Sequence, residues 1–447
     1  MKRAALLAAC VAVAFAPLSA RAEAWAIEHV TLIDGTGHAP QPDMTVTVDG
    51  GRIAAVTPSA LAKSPKGHMI DAHGKYLMPG LMDVHIHLHG GVDQQTDTAE
   101  TRTQALAGYL YSGVTTIYDA GNQTENILPL RAAERAGRIA SPRIFATGNL
   151  ITYPGSHGTG MAVNVQDFEK DKDKLDRHIA EQQPDVVKLT LEEEGWGARP
   201  MITLMPEPLL RDIIRYYNLH GIRTTIHVSS ELRAEEAIFA GTDSLAHPVI
   251  QGPVSDSFVK LMAAKKTPFA STLTIGENYS RLAEHPEFLD QPLYAATFSP
   301  ADRQTLKTKV RAEYQARMWT AWMKLMTPVA EENIRKVWAA GGVVAAGTDQ
   351  SSGPALQREL ELLVQAGIKP FDVLTIATHN GAVLLGKADT LGSIEPGKFA
   401  DLLLLNADPT ADIENVKKIA FVMKGGQIVD ESKLPLAGGP QKRRFTP

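Results

Sequence analysis

A chain of 447 residues, 44% hydrophobic and 21% charged, has the apolar content for a large core and suits one large domain plus a smaller one. A formal net charge of −5 with no basic stripe argues against a nucleic-acid surface. The one cysteine, Cys10, sits in the extreme amino-terminal stretch, so disulfides, thiolate metal sites and a cysteine nucleophile are excluded from the rest of the chain.

In chain order, Lys2 and Arg3 precede an Ala-rich apolar run from Ala4 to Pro17, and Ala20-Arg21-Ala22 supplies a small-x-small cleavage site. This pattern predicts a secretory signal peptide over residues 1–22, too short to span a membrane, and hence a periplasmic or secreted protein with no transmembrane segment in its mature chain. "LAAC" (Leu7 to Cys10) also matches a lipoprotein cleavage box, but the apolar stretch before it is very short and plain export is the preferred reading. Residues 23–78 are strand-like. "TVTVDGGRIAAV" (Thr45 to Val56) alternates, turns at Asp49-Gly50-Gly51 and resumes, which is a hairpin pattern. The segment 391–435 repeats the style in "FADLLLLN" and in "IAFVMKGGQIVD", broken by Gly425-Gly426. Neither segment is large enough to fold alone, so the two are expected to form one discontinuous β-sandwich. Residues 436–447 read as a loosely held tail.

Between them, over residues 79–390, short β runs alternate with helical patterns. The β runs are "GLMDVHIHL", "GVTTIYDA", "PRIFATGNL", "DVVKLTL", "RTTIHVSS", "DSLAHPV", "TPFASTLT" and "GVVAAGTD". In "ALQRELELLVQAG", Leu356, Leu360, Leu363 and Val364 share one helical face. Eight such units predict an α/β fold, a (β/α)₈ TIM barrel. The surplus length falls at residues 277–340, a helical insertion carrying Trp319, Trp322 and Trp338. It reads either as a subdomain with its own apolar contacts or as a lid that grips substrate.

In a barrel, functional side chains gather where strands end and βα-loops begin. His85 and His87, two apart on the first strand, point the same way. The fourth strand offers Lys188, the fifth His227, the sixth His247 and the eighth Asp349. Singly each is weak: a strand His is often a hydrogen-bonded core residue, and Asp349 in "GTD" could merely cap the next helix. Jointly they form a candidate site for divalent metal. Asp119, after the second strand, reads as a loop-fixing or His-orienting group, and His89 lies past its strand and is not a candidate ligand. Lys188 is the odd member. An ammonium about 4 Å from a divalent ion at an effective dielectric near 20 meets roughly 8 kcal/mol of repulsion. A neutral Lys188 could instead take up carbon dioxide and become N6-carboxylysine, an anion able to bridge two metals. The competing reading pairs it with Glu192, Glu193 or Glu194.

"LMPGLMDVHIHL", "SGVTTIYDAG", "VVKLTL", "HVSS", "LAHPV", "AAGTD", "LTIATHNGAVLLG" and "LGSIEPGKFADLLLLNADP", in this order, resemble the amidohydrolase superfamily. The likeness is to its imidazolonepropionase-related branch, which includes dinuclear prolidases with a carbamylated lysine. The resemblance implies a β-sandwich beside a metal-bearing barrel. It also implies that His85, His87 and Asp349 hold the buried metal, that His227 and His247 hold the exposed one, and that Lys188 bridges both. His379, in "ATHNGA", matches a packing helix of relatives rather than a ligand. The loops "ITYPGSHGTG" and "TLEEEGWGARP" depart from the pattern, so detailed specificity does not carry over.

The chemistry implied is hydrolysis of a C–N amide bond in a small substrate, a dipeptide such as Xaa-Pro or an N-acyl amino acid. The attacking group would be a hydroxide bridging two divalent ions, zinc by default, with Asp349 as the catalytic proton shuttle. Tyr153, His157, Arg199 and Arg281 are candidate substrate contacts. The partners expected are small molecules, with a homo-oligomer possible. Two alternatives stay open: a mononuclear cyclic amidase or deaminase on the same scaffold, and a non-catalytic envelope binding protein. The sequence has neither a G-x-S-x-G elbow nor an HExxH zinc helix.

Overall fold

The structure, a computed structural model, describes residues 23–62, 67–192, 201–442 and 444–445. The export signal expected over residues 1–22 and the candidate contact Arg199 lie outside the described residues, as do Glu193 and Glu194. In chain order, five strands come first: β1 (Trp25–Leu32), β2 (Gln41–Asp49), β3 (Arg52–Pro58), β4 (His68–Asp71) and β5 (Tyr76–Pro79). The middle of the chain forms β6 (Leu81–Ile86), β7 (Val114–Asp119), β8 (Arg143–Ala146), β9 (Leu150–Thr152), β10 (Ala162–Asn164), β11 (Val186–Thr190), β12 (Arg223–His227), β13 (Ser244–Leu245), β14 (Phe269–Ala270) and β15 (Val344–Ala345). The chain then returns through β16 (Leu402–Leu405), β17 (Ile419–Lys424) and β18 (Gln427–Ile428).

The two ends share one eight-stranded sheet, in which β16 lies antiparallel on β5. Both expected hairpins form. Asp49 faces Arg52 and Lys424 faces Gln427, so each turn is a two-residue glycine pair, with φ of 57° and 80° at Gly50-Gly51 and 56° and 76° at Gly425-Gly426. Left-handed backbone at both turn positions is what glycine supplies without steric penalty. The run "LLLL" of β16 shows why neither end stands alone. Leu402 and Leu404 join the sandwich core with Trp25, Ile27, Val46 and Phe421, whereas Leu403 and Leu405 join the barrel core. All four are fully buried, each contributing about 1.5–3 kcal/mol.

Strands β6, β7, β8, β11, β12, β13, β14 and β15 run parallel and close into a barrel. One seam joins β8 to β11, where Asp185 N donates to Ala146 O at 3.0 Å. The other joins β15 to β6, where Val84 N donates to Ala346 O at 3.0 Å and Ile86 bridges to Gln350. Each of the eight quoted β runs contains one of these strands. Among the described residues no helix is long and apolar enough to cross a membrane.

The insertion has apolar contacts of its own and a second set of side chains that faces the barrel. Its helices Pro292–Thr297, Pro300–Thr305 and Arg311–Ala316 enclose a cluster of their own around Leu282, Phe288, Leu289 and Tyr294. Two longer helices, Leu273–Glu284 and Met318–Ala339, also present Ile275, Tyr279, Trp319 and Met323 to the mouth of the barrel.

The expectation of a loose tail does not hold for residues 436–442, 444 and 445. Leu434 and Leu436 are buried on Ala107 and Leu110, and Gly438 N donates to Ala296 O at 3.0 Å. Arg444 donates through Nε to Glu431 at 2.6 Å and lies 4.3 Å over the Tyr111 ring, while Phe445 packs on Phe421. Leu436, Gly438 and the paired Arg444 tie this segment down; its glycines and prolines had masked them.

His178 is buried and neutral. Its Nε2–H donates to Asn149 O at 3.0 Å and its Nδ1 accepts from Tyr217 Oη at 2.8 Å, which fixes the loop after β8. Burial holds its pKa down at about 4. The unfolded chain therefore takes up a proton first, and the stability due to this group fades as pH falls from about 6.5 towards 4, by about 3 kcal/mol in all. His178→Gln, which keeps both hydrogen bonds, is expected to flatten that part of the acid limb in melting curves recorded against pH.

Candidate metal centre

Alternation along β6 puts Asp83, His85 and His87 on one face, and the hydrogen bonds of that face set the site. Asp83, fully buried, accepts from Thr348 Oγ1 at 2.8 Å and from Thr348 N at 3.1 Å, which locks the first strand to the end of the eighth. His85 O in turn accepts from Asp349 N at 2.7 Å. Gly347 makes this approach possible: a Cβ there would lie 2.9 Å from the Cβ of His85. Asp349 follows in left-handed backbone, φ 53°, a conformation a non-glycine residue holds only under the constraint of its surroundings.

The imidazoles are oriented through one ring nitrogen each. His85 Nδ1 meets Ala246 O at 2.8 Å and His87 Nδ1 meets Gly121 O at 2.6 Å. A carbonyl only accepts, so in both rings Nδ1 carries the proton and Nε2 keeps its lone pair. His247 Nδ1 bonds Thr272 Oγ1 at 3.0 Å, and Thr272 is itself held at φ 36°. His227 is approached from its other side, with Glu192 Oε2 3.6 Å from Nε2. Burial holds His85, His227 and His247 well below the usual imidazole range, with neighbouring Lys188 and imidazoles adding to it, so these rings are neutral, as ligands must be.

The atoms able to act as ligands converge. Asp349 Oδ1 lies 3.4 Å from His87 Nε2 and 3.6 Å from His85 Nε2. His85, His247 and Asp349 each offer a ligand atom within 4.8 Å of the others. The Lys188 amine stands 3.3 Å from His85 Nε2, and no carboxylate of the described residues lies at ion-pair distance from it. Burial pushes this lysine down to about 8, against the pull of Asp349 and Asp119, and raises the Asp349 carboxyl against the pull of His87 and Lys188. Neutral imidazoles with lone pairs aimed inward and a carboxylate at 3.4–3.6 Å suit a divalent ion held about 2 Å from each donor. An ammonium at the Lys188 position does not suit such an ion; an anion there does.

His87, Lys188, His227, His247 and Asp349 line a cavity of about 480 Å³, together with His157, Thr190, Ile275, Tyr279, Trp319 and Met323. All six candidate ligands are thus brought together at the C-terminal ends of the strands. Asp119 fixes the loop beside them, as expected, accepting from Leu88 N at 2.8 Å and Gly121 N at 3.1 Å. His89 is exposed and His379 lies at the start of the helix His379–Leu384, away from the cavity lining. The pairing of Lys188 with Glu192 does not occur; Glu192 turns to His227 and Ser229.

The four candidate substrate contacts separate. His157 lines the cavity with its ring stacked on His227 at 4.1 Å, and its carbonyl accepts from Thr152 and Thr190 hydroxyls at 3.0 and 3.1 Å. Tyr153 is a correction. Strand parity turns Leu150 and Thr152 inward, so Ile151 and Tyr153 pack outward on the barrel core. Arg281 is another. On its helix Ile275 and Tyr279 face the cavity, and Arg281, two residues past Tyr279, points to the far side. It stacks 4.0 Å over Phe288, donates to Tyr294 Oη at 3.3 Å and borders a separate cavity of about 170 Å³. Arg199 lies outside the described residues.

Sequence reasoning missed Asp83 and Thr272, and it offered Glu192 only as a partner for Lys188. Asp83 had a readable signal, since it shares strand parity with the two histidines. Glu192 had one as well, four positions beyond Lys188 on an alternating strand end.

The amidohydrolase family profile matches residues 76–429. The chain belongs to the amidohydrolase family. It is similar to an imidazolonepropionase from Porphyromonas gingivalis, 23% identical over 402 residues that cover 85% of this chain and 86% of the relative. Among solved structures it is similar to a candidate prolidase from Bifidobacterium longum (26% identity, TM-score 0.74, 94% of this chain and 97% of that one). It is also similar to the ochratoxinase of A. niger (20% identity, TM-score 0.72, 91% and 96%). This amidohydrolase is accordingly a metal-binding hydrolase of carbon–nitrogen bonds, with the barrel and β-sandwich architecture of the family.

Glu192 approaches a candidate ligand histidine on the side away from Nδ1, as carboxylates behind metal-bound histidines do. Glu192→Ala is expected to weaken binding of a divalent metal ion about tenfold to a hundredfold in chelator competition, and Glu192→Gln by less.

Proposed function

We propose that this amidohydrolase cleaves an amide bond of a small substrate, a dipeptide of the Xaa-Pro kind or an N-acyl amino acid, at a pair of divalent ions, zinc by default. His85, His87 and Asp349 would hold one ion, His227 and His247 the other, and Lys188, as N6-carboxylysine, would bridge them. When bound, such ions acidify a water and polarise the scissile carbonyl. The observation that carries the reading is the Lys188 amine, buried 3.3 Å from His85 Nε2. An amine so placed can add to carbon dioxide through its nitrogen lone pair, losing one proton and gaining the carboxylate that the site needs.

The protein's own groups do the rest. Asp349, its carboxyl raised by burial, takes the proton of the attacking water and returns it to the leaving nitrogen. His157, held by two threonine hydroxyls, is placed to contact the substrate beside His227. The names of the prolidase and imidazolonepropionase relatives support C–N hydrolysis of a compact substrate. One observation favours a second reading. His85, His247 and Asp349 form a tight cluster on their own, which would serve a mononuclear amidase or deaminase.

A screen of N-acyl amino acids and Xaa-Pro dipeptides against zinc-loaded protein, with elemental analysis, decides between them. The expected result is two ions per chain, with activity abolished by chelator and restored by zinc. Lys188→Ala should lose metal and turnover together, and short carboxylates such as acetate should partly restore both. One ion per chain with an active Lys188→Ala variant would make the mononuclear reading correct. Asp349→Asn should retain part of its metal while turnover drops about 10²–10⁴-fold; near-native turnover would remove Asp349 from the proton path.

A further inference from the structure

The cavity has two unlike halves. One carries the imidazoles, Lys188 and Asp349. The other is an apolar wall of Ile275 and Tyr279 from one helix and Trp319 and Met323 from another, the last three within the insertion, with Leu150 also in the lining. The insertion is usually where a mobile cover would be sought, but this wall is built in. The two helices approach closely at Gly276, where a Cβ would lie 2.7 Å from Thr327 Oγ1 and 2.9 Å from Met323 Cε. Glu359, fully buried, holds the start of the first helix by accepting from Leu273 N at 2.9 Å and Thr274 N at 2.7 Å. Asn333 anchors the second to the loop after β13, donating to Val249 O at 2.9 Å and to Gly252 O at 2.8 Å. The Trp319 ring is set edge-on to Tyr279 at 6.3 Å, and Tyr279 packs on Tyr314 at 4.7 Å. Trp319 Nε1 is buried and has no acceptor among the described residues, so the ring meets the cavity through its apolar surface.

We infer that this wall receives a bulky apolar group of the substrate, so that the enzyme acts on amides bearing an aromatic or large aliphatic group beside the scissile bond in preference to alanine-sized ones. The inference rests on the cavity being the substrate site and adds the substrate class to it. A preformed apolar wall facing the reacting groups binds a phenyl ring through removal of both surfaces from water, and the walls need no reordering when the ring arrives. Moving from a methyl to a phenyl group in such a pocket is worth about tenfold to a hundredfold in affinity.

Binding separates this inference from the chemistry, because it needs no turnover. Calorimetric titration of zinc-loaded protein with N-acetylphenylalanine, N-benzoylalanine and N-acetylalanine measures the preference on either side of the amide. The expected result is that at least one aromatic ligand binds about fivefold or more tighter than N-acetylalanine. Trp319→Ala should bring that ratio close to one with little change for N-acetylalanine, and Trp319→Phe should keep most of it. A wild-type ratio below about fivefold for both aromatic ligands, or a ratio unmoved by Trp319→Ala, overturns the inference. If Trp319→Ala does not fold, Ile275→Ser takes its place, and the wild-type comparison is decisive in either case. Intact turnover without the preference removes the wall alone; an intact preference with no amide turned over removes the proposed chemistry alone.

Discussion

The buried carboxylate of Asp83 holds the eighth strand of the barrel to the first, and the centre depends on that closure. Thr348 gives both its amide and its hydroxyl to Asp83, and the next amide, that of Asp349, goes to the carbonyl of His85. An ionisable group so deep is tolerated because these donors compensate its loss of water, although burial still drives its pKa well above the ordinary carboxylate range. With the closure made, a histidine near the start of the chain and an aspartate near its end share one small volume. Without it, the Asp349 turn, with its left-handed backbone, would have nothing to hold it.

A second layer of oxygen atoms then aims the ligand candidates. Ala246 and Gly121 carbonyls, the Thr272 hydroxyl and the Glu192 carboxylate each face one nitrogen of one imidazole. The two carbonyls settle that Nδ1 carries the proton in His85 and His87, and all four partners restrain the way the rings point before any ion arrives. Lys188 is the exception within this arrangement. It has burial and imidazole neighbours where a structural lysine would have a carboxylate, and that mismatch is the strongest chemical signal in the molecule.

The rest of the architecture serves the same mouth. The sandwich, assembled from both ends of the chain, shares its β16 leucines with the barrel core and so stiffens the barrel instead of hanging from it. The insertion divides its side chains in the same manner, some closing a small cluster of its own and others facing the cavity. In both cases one segment does two jobs, and in β16 the two buried faces explain why the strand reads as a continuous apolar run.

The eight strands, the paired hairpins and the six convergent candidates were legible in the primary order. They rest on local rules: alternation along a strand, glycine pairs at turns, and the fact that successive parallel strands end at one pole. Asp83 was legible by the same parity and was overlooked beside the histidines. The tail was misread because Leu436 and Arg444 find partners on elements hundreds of residues away. Tyr153 and Arg281 were plausible by residue type, but the direction each side chain takes depends on strand parity or helical phase relative to a cavity that exists only in three dimensions. The amino-acid sequence thus determined which elements form and which chemistry they carry, because those follow from periodicity and donor type. Only the tertiary structure decided which nitrogen His85 and His87 present, that Glu192 turns to His227 and not to Lys188, and that the insertion lends apolar side chains to the cavity, because these follow from contacts between segments with no local relation to one another.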